Sequence, residues 1–208
     1  IGEGHLHETF DKEFMSEEPT GDILVKGIHL GSYFVDLDPE GLQPRWVKRE
    51  EFLTRKPAAR AIVERERIIG RNTLNRAIRP RLRFTILRGG IVISNAIKYI
   101  VLDPESRLHK NYIIGLLNSS LLNWRFELFS TQNNIRNYEV AALPIRRIDF
   151  DNPQDVKIHD DLVALVERML DLHKRLKDAK GEEKKNLDRQ PARTDRKIDN
   201  LVYQLYDI

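Results

Sequence analysis

Two short stretches of the 208-residue sequence gather side chains able to read nucleic acid bases. In RIIGRNTLNRAIRPRLRF, residues 67–84, the guanidinium groups of Arg71, Arg76, Arg79, Arg81 and Arg83 are interleaved with the carboxamides of Asn72 and Asn75. A guanidinium forks onto a phosphate or onto guanine O6 and N7, and a carboxamide meets adenine N6 and N7 with the same two-bond geometry. The second stretch carries Ser130, Thr131, Gln132, Asn133, Asn134, Arg136, Asn137 and Tyr138, directly after the apolar run LLNSSLLNWRFELF. Packing of Trp124, Phe126 and Phe129 would hold such a polar loop at its root, so that the scaffold meets the ordering cost before binding. The competing reading is that these Asn and Ser residues simply make turns and caps.

The charge distribution favours a polyanionic partner. Residues 1–40 hold ten acids and two bases, whereas residues 45–88 hold fourteen bases, twelve of them arginine, and four acids. The net charge of +3 conceals this segregation. The alternative is a solvated basic face paired with the acidic opening.

Catalytic patterns are missing. All nine prolines are isolated, so the Pro-Pro core of the aminomethyltransferase motif cannot occur. There is no glycine-rich phosphate cradle. Neither DPE, at 38–40 or at 103–105, is followed at short range by the carboxylate-x-lysine arrangement of a metal-dependent nuclease. His5 and His7 lack a third metal ligand nearby in sequence, and His29, His109, His159 and His173 are scattered, suiting surface or cap roles. The absence of cysteine excludes disulfides and thiol chemistry. No apolar run approaches the roughly 18 residues of a membrane span, and no leader pattern opens the chain, which points to the cytoplasm. The start at Ile1 suggests a piece of something longer.

The elements that must position these clusters are legible from periodicity. Residues 1–20 read as an acidic opening segment without clear period, with turn signals at Pro19 and Gly21. DILVKGI and HLGSYFVDLD read as strands ending at a turn, DPEG, at 38–41. EEFLTRKPAARAIVERE is ambiguous between helix and loop, with Pro57 as a boundary. RERIIGRN, RLRFTI, GIVISN and IKYIVLD read as successive strands. Helical spacing begins at Leu108, and Ser120 is the expected N-cap of a short helix through Leu128. VAALPIRRIDF reads as extended around Pro144. Leu162, Leu165, Val166, Met169, Leu172 and Leu176 form one face of a long helix, and Ile198, Leu201, Val202 and Leu205 one face of another, joined through AKGEEKK. The expectation is an α+β chain: opening segment 1–20, a β-rich target-recognition domain 21–150, and an antiparallel helical hairpin 151–208 packing on the body or a partner.

The succession DILVKGIHLGSYFVD, RIIGRNTLNRAIRPRLRFTI, GGIVISNAIKYIVLD, YIIGLLNSSLLNWRFELFS, NYEVAALPI and RKIDNLVYQLYDI resembles the C-terminal target-recognition region of adenine-specific DNA methyltransferases of type II restriction-modification systems. The nearest groups are the TaqI-like C-terminal specificity domain and the fused restriction-methylation enzymes. The resemblance covers residues 21–208, and Asn95 matches a recurring feature of the family. It implies that the chain grips double-stranded DNA and selects the site, with no cofactor of its own. An upstream methyltransferase domain would bind S-adenosylmethionine and hold the flipped adenine. Base-contacting positions vary with target sequence in this family, so the fifteen residues named above are chosen by side-chain chemistry alone. Whether a parent enzyme also cleaves DNA is left open. The alternative function is a protein-interaction module, or a specificity subunit docking through the hairpin.

Overall fold

The computed structural model describes residues 1–20, 22–39, 42–73, 75 and 77–208. Gly21, Glu40, Gly41, Leu74 and Arg76 lie outside these, and with them the end of the expected 38–41 turn and one expected DNA contact. The elements, in order, are β1 (Gly2–Glu3), β2 (Met15–Ser16), β3 (Leu30–Gly31), β4 (Phe34–Val35), β5 (Trp46–Val47), α1 (Arg49–Arg55) and α2 (Pro57–Val63). Then come β6 (Arg67–Arg71), β7 (Phe84–Leu87), β8 (Ile97–Ile100), α3 (Lys110–Asn118), α4 (Ser120–Glu127), α5 (Asn137–Ala141), α6 (Pro153–Asp178), α7 (Gly181–Asp188) and α8 (Gln190–Leu205). The fold is α+β.

A four-stranded antiparallel sheet in the order β1-β8-β6-β7 is the centre of the molecule. It is buried on both faces. The register pairs Ile68 with Ile86 and Ile100, and Gly70 with Phe84 and Lys98, so these six residues share one face. That face packs into the largest core, with Tyr112, Ile114, Leu116 and Leu117 of α3, Leu162 and Val166 of α6, and Ile198 and Val202 of α8. The opposite face, with Ile69, Leu87 and Ile97, closes over Val25, Leu30 and Ile93. Each fully buried Ile or Leu contributes about 1.5–3 kcal/mol. Two glycines set close approaches: a Cβ on Gly70 would lie 2.3 Å from the Phe84 ring, and one on Gly115 would lie 3.0 Å from Leu162 and Val166 where α3 crosses α6.

The structure differs from the sequence-based expectation at several points. The opening segment is tied into the body, because β1 joins the sheet beside β8 and β2 forms a separate two-stranded sheet with β5. The ambiguous 50–66 stretch is two short helices, with Pro57 in the first turn of the second, where its missing N–H costs nothing. GIVISN forms single bridges, from Ile93 to Val25 and from Ser94 to Leu6, instead of a strand. Ser119, not Ser120, caps α4: its hydroxyl accepts from the Leu122 N–H and donates to the Leu116 carbonyl, ending one helix as it starts the next. Ser120 instead bonds Asp199 of α8 through both its N–H and its Oγ. VAALPI begins inside α5 rather than being extended throughout. The joint between the long helices is itself helical, α7. The hairpin buries its apolar stripe on the body, sharing one core with α3 and the sheet. Among the described residues no helix is long and apolar enough to cross a membrane.

Candidate nucleic-acid interface

The two polar clusters, some sixty residues apart in sequence, meet in space. Strands β6 and β7 form a hairpin whose long loop is the first cluster, and the connection from α4 to α5 is the second. Thr73 and Asn134 form an antiparallel bridge, with Thr73 Oγ1 donating to Asn134 Oδ1 at 2.9 Å. The Ile135 N–H donates to the Asn72 carbonyl at 2.8 Å, and Arg81 Nη2 to the Gln132 carbonyl at 2.6 Å. Ile135, flanked by polar neighbours, is fully buried in the main core and anchors the second loop.

Two asparagines that the sequence chemistry passed over hold the first loop from beneath. Asn118 Oδ1 accepts from the Phe84 N–H and its Nδ2 donates to the Phe84 carbonyl, both at 2.8 Å. Asn123 Oδ1 accepts from the Leu82 N–H at 2.7 Å, while its Nδ2 faces the carbonyls that end α3. Both are buried, and each gives β7 and its approach a side-chain partner in place of a missing strand. The signal in the sequence is an amide placed inside an otherwise apolar helical run.

The expected contact residues divide by burial. Asn75, Arg79, Thr131, Gln132, Asn133, Asn134, Arg136 and Tyr138 are exposed, and Arg71, Asn72, Arg83 and Asn137 are half-buried. Arg81 and Ser130 are inside the protein, at 1% and 2% exposure. Arg81 lies over the Phe126 ring and supports the second loop from within; it is not placed on the surface as its chemistry had suggested. Asn72 spends its Nδ2 on the Asn95 carbonyl, 3.2 Å away. Trp124 is also displaced from expectation: it is 59% exposed, and Phe126 and Ile135 form the root in its stead. His109 caps α3, whereas His29 and His159 are buried.

The electrostatics of the face are one-sided. The Arg71 N–H bonds the Arg83 carbonyl at the loop end of the β6–β7 hairpin, which sets the two residues' backbones across from each other. Burial, and then the positive charge of Arg83, hold the Arg71 guanidinium below its ordinary pKa. Arg71 bonds the Thr73 carbonyl, and Arg83 the carbonyls of Pro80 and Arg79. Among the described residues no carboxylate pairs with Arg71, Arg83, Arg125 or Arg136, while Arg79 pairs with Glu127 at 2.6 Å. Neighbouring cations without an acid repel, and an anion placed between them relieves that repulsion. No group of three or more His, Asp or Glu residues that could hold a metal ion occurs among the described residues.

An α+β scaffold thus presents two mated polar loops beside Arg71, Arg83 and Arg136, which pair with no carboxylate among the described residues. Residues 20–145 match the TaqI-like C-terminal specificity domain, and the chain belongs to that family. Among solved structures, it is similar to the type IIL restriction-modification enzyme MmeI in complex with DNA, with a TM-score of 0.60 and 14% sequence identity. That likeness covers 99% of this chain and 32% of MmeI, so the chain spans about a third of the enzyme it matches. No curated protein matches the sequence.

Proposed function

We propose that this chain selects a short sequence in double-stranded DNA on behalf of an adenine-N6 methyltransferase of a restriction-modification system, acting in the cytoplasm. The observation that carries this reading is the convergence of two amide-rich loops beside Arg71, Arg83 and Arg136, cations that pair with no acid among the described residues. The family match and the likeness to a DNA-bound restriction-modification enzyme support it. In this reading Arg71, Arg83 and Arg136 meet phosphates and fix the register, while Asn134, Gln132 and Thr131 reach base edges. S-adenosylmethionine and the methyl transfer belong to a catalytic domain elsewhere in the parent protein, because these residues contain neither a glycine-rich cradle nor the Pro-Pro motif.

The test is selection of the chain on a pool of randomised duplexes at two salt concentrations, with the retained fraction sequenced. A shared motif with strong salt dependence is the expected outcome. Retention without any motif would leave only a basic tethering surface. On the selected site, Asn134→Ala should lower discrimination at one base pair by about tenfold, the scale of one good base contact, with little change in the salt slope. Equal loss on every duplex would sink the base-reading role.

A further inference from the structure

Of the seven residues that the register places on the sheet face that meets the helical core, only Lys98 and its neighbour Glu3 at the sheet edge are charged, and of these two only Lys98 is buried. Its side chain is 1% exposed. The ammonium donates to Asn137 Oδ1 at 2.6 Å and to Glu3 Oε1 at 3.2 Å. Desolvation is costly for an ammonium, and an apolar side chain of similar volume would serve a core at least as well. Burial accordingly pulls the Lys98 pKa below its ordinary value despite the hydrogen bond and charge of Glu3. Packing therefore does not explain a lysine here.

What Lys98 does, and a hydrophobe could not, is join two distant segments. Asn137 is the first residue of α5 and directly follows the second polar loop. The same helix start is fixed by the buried Glu139 carboxylate, which accepts from the Arg136 N–H at 2.6 Å. The middle of the loop, two residues before Asn137, is held by the Ile135 N–H on the Asn72 carbonyl. On its other side Lys98 holds Glu3 of β1, the strand that pairs with β8 through Gly2–Tyr99 and Glu3–Lys98.

We propose that Lys98 is a positioning residue for DNA readout: through Asn137 it fixes the loop carrying Gln132 to Arg136, and through Glu3 it makes the opening strand part of that support. The role in readout rests on the DNA-reading function above, whereas the support of the loop does not. Asn137, whose chemistry suggested a DNA contact, directs its Oδ1 inward.

The experiment compares Lys98→Met, Asn137→Ala and the double variant with the wild-type chain, by amide hydrogen exchange and by duplex selection. In Lys98→Met the fold should survive, with the strand amides of β6 and β8 protected as before. The Ile135 amide should exchange faster by about tenfold, and discrimination between selected and random duplexes should drop by about tenfold at unchanged salt slope. The double variant should lose no more discrimination than Lys98→Met alone, because the lysine acts through Asn137. Unchanged Ile135 protection in Lys98→Met, or losses that multiply in the double variant, would overturn the proposal. If the wild-type chain selects no motif, the DNA-reading function fails and the readout role falls with it; Ile135 exchange still decides whether Lys98 supports the loop. Should Lys98→Met not fold, Glu3→Gln serves instead, since the Glu3 side chain is 45% exposed. It should raise Ile135 exchange by a smaller factor, and no change would overturn the link through the opening strand.

Discussion

The arginines of residues 45–67 and those of residues 71–83 look alike in sequence and differ in what they face. In the first group most cations are spent internally, whereas the exposed Arg55 and Arg65 have no acid partner among the described residues. Arg45 pairs with Glu17, Arg49 with Glu64 at 2.7 Å, Lys56 with Asp11 at 2.5 Å and Arg60 with Glu50 at 2.9 Å. Arg67 is wholly buried, bonded to the carbonyls of Val63, Arg65 and Ile91, and burial lowers its pKa to about 10. In the second group Arg71 and Arg83 have carbonyl partners and, among the described residues, no acid. A run of basic residues is thus two things: a scaffold balanced by the acidic opening segment and local glutamates, and a short free face. Only the second sets uncompensated charge beside the two amide-rich loops.

The largest effect should separate these groups directly. Arg71→Ala combined with Arg83→Ala should lower duplex affinity by roughly a hundredfold, the scale of losing charge-assisted contacts. It should also reduce the salt slope by about two, one per phosphate contact. Arg49→Ala combined with Arg60→Ala removes as much formal charge from the paired group and should leave affinity and slope nearly unchanged. Equal losses from the two double variants, in binding isotherms at several salt concentrations, would erase the distinction.

How far sequence could anticipate this division follows from which interactions are local. The strands at 67–71, 84–87 and 97–100, the helices from Lys110 onward and the two amide-rich clusters are legible because residue type and period mark them within a few positions. The balancing of Arg45 by Glu17 and of Lys56 by Asp11, and the pairing of β1 with β8, join segments that only the folded chain brings together. Arg81 and Ser130 show the converse: polar chemistry suited to DNA, with burial that sequence does not reveal. Asn118 and Asn123 sit within a readable helical run, yet their partners at 82–84 lie on another element. Asn118→Ala should therefore destabilise the fold by about 1–3 kcal/mol in denaturant unfolding, since it strands the Phe84 N–H and carbonyl without their side-chain partner. If the free face depends on this support, binding should fall in step with stability. Intact binding at reduced stability would show that the loop pair holds its shape without Asn118.

The smallest effect concerns the paired group and is set by pH. Asp11 is buried, which by itself would raise its pKa. The hydrogen bond from Lys56, the His7 N–H and the nearby positive charge outweigh that and hold it below the ordinary carboxylate value. A carboxyl with a depressed folded pKa contributes stability above its unfolded pKa, near 4, and loses it as pH falls through the folded value. Acidification should therefore loosen the contact of the opening segment with Lys56 at the C-terminal end of α1. A guanidinium group keeps its charge throughout this range. The measurable consequence is a modest drop in protection of the His7 and Asp11 amides between about pH 5 and pH 3, with β6 amides unaffected. Asp11→Asn should abolish that pH dependence and start from the loosened state. A decline shared by Asp11→Asn would assign the acid sensitivity to another carboxylate, such as Glu50, which the hydrogen bond from Arg60 holds below its ordinary pKa, and move the boundary between balanced scaffold and free face away from the Asp11–Lys56 pair.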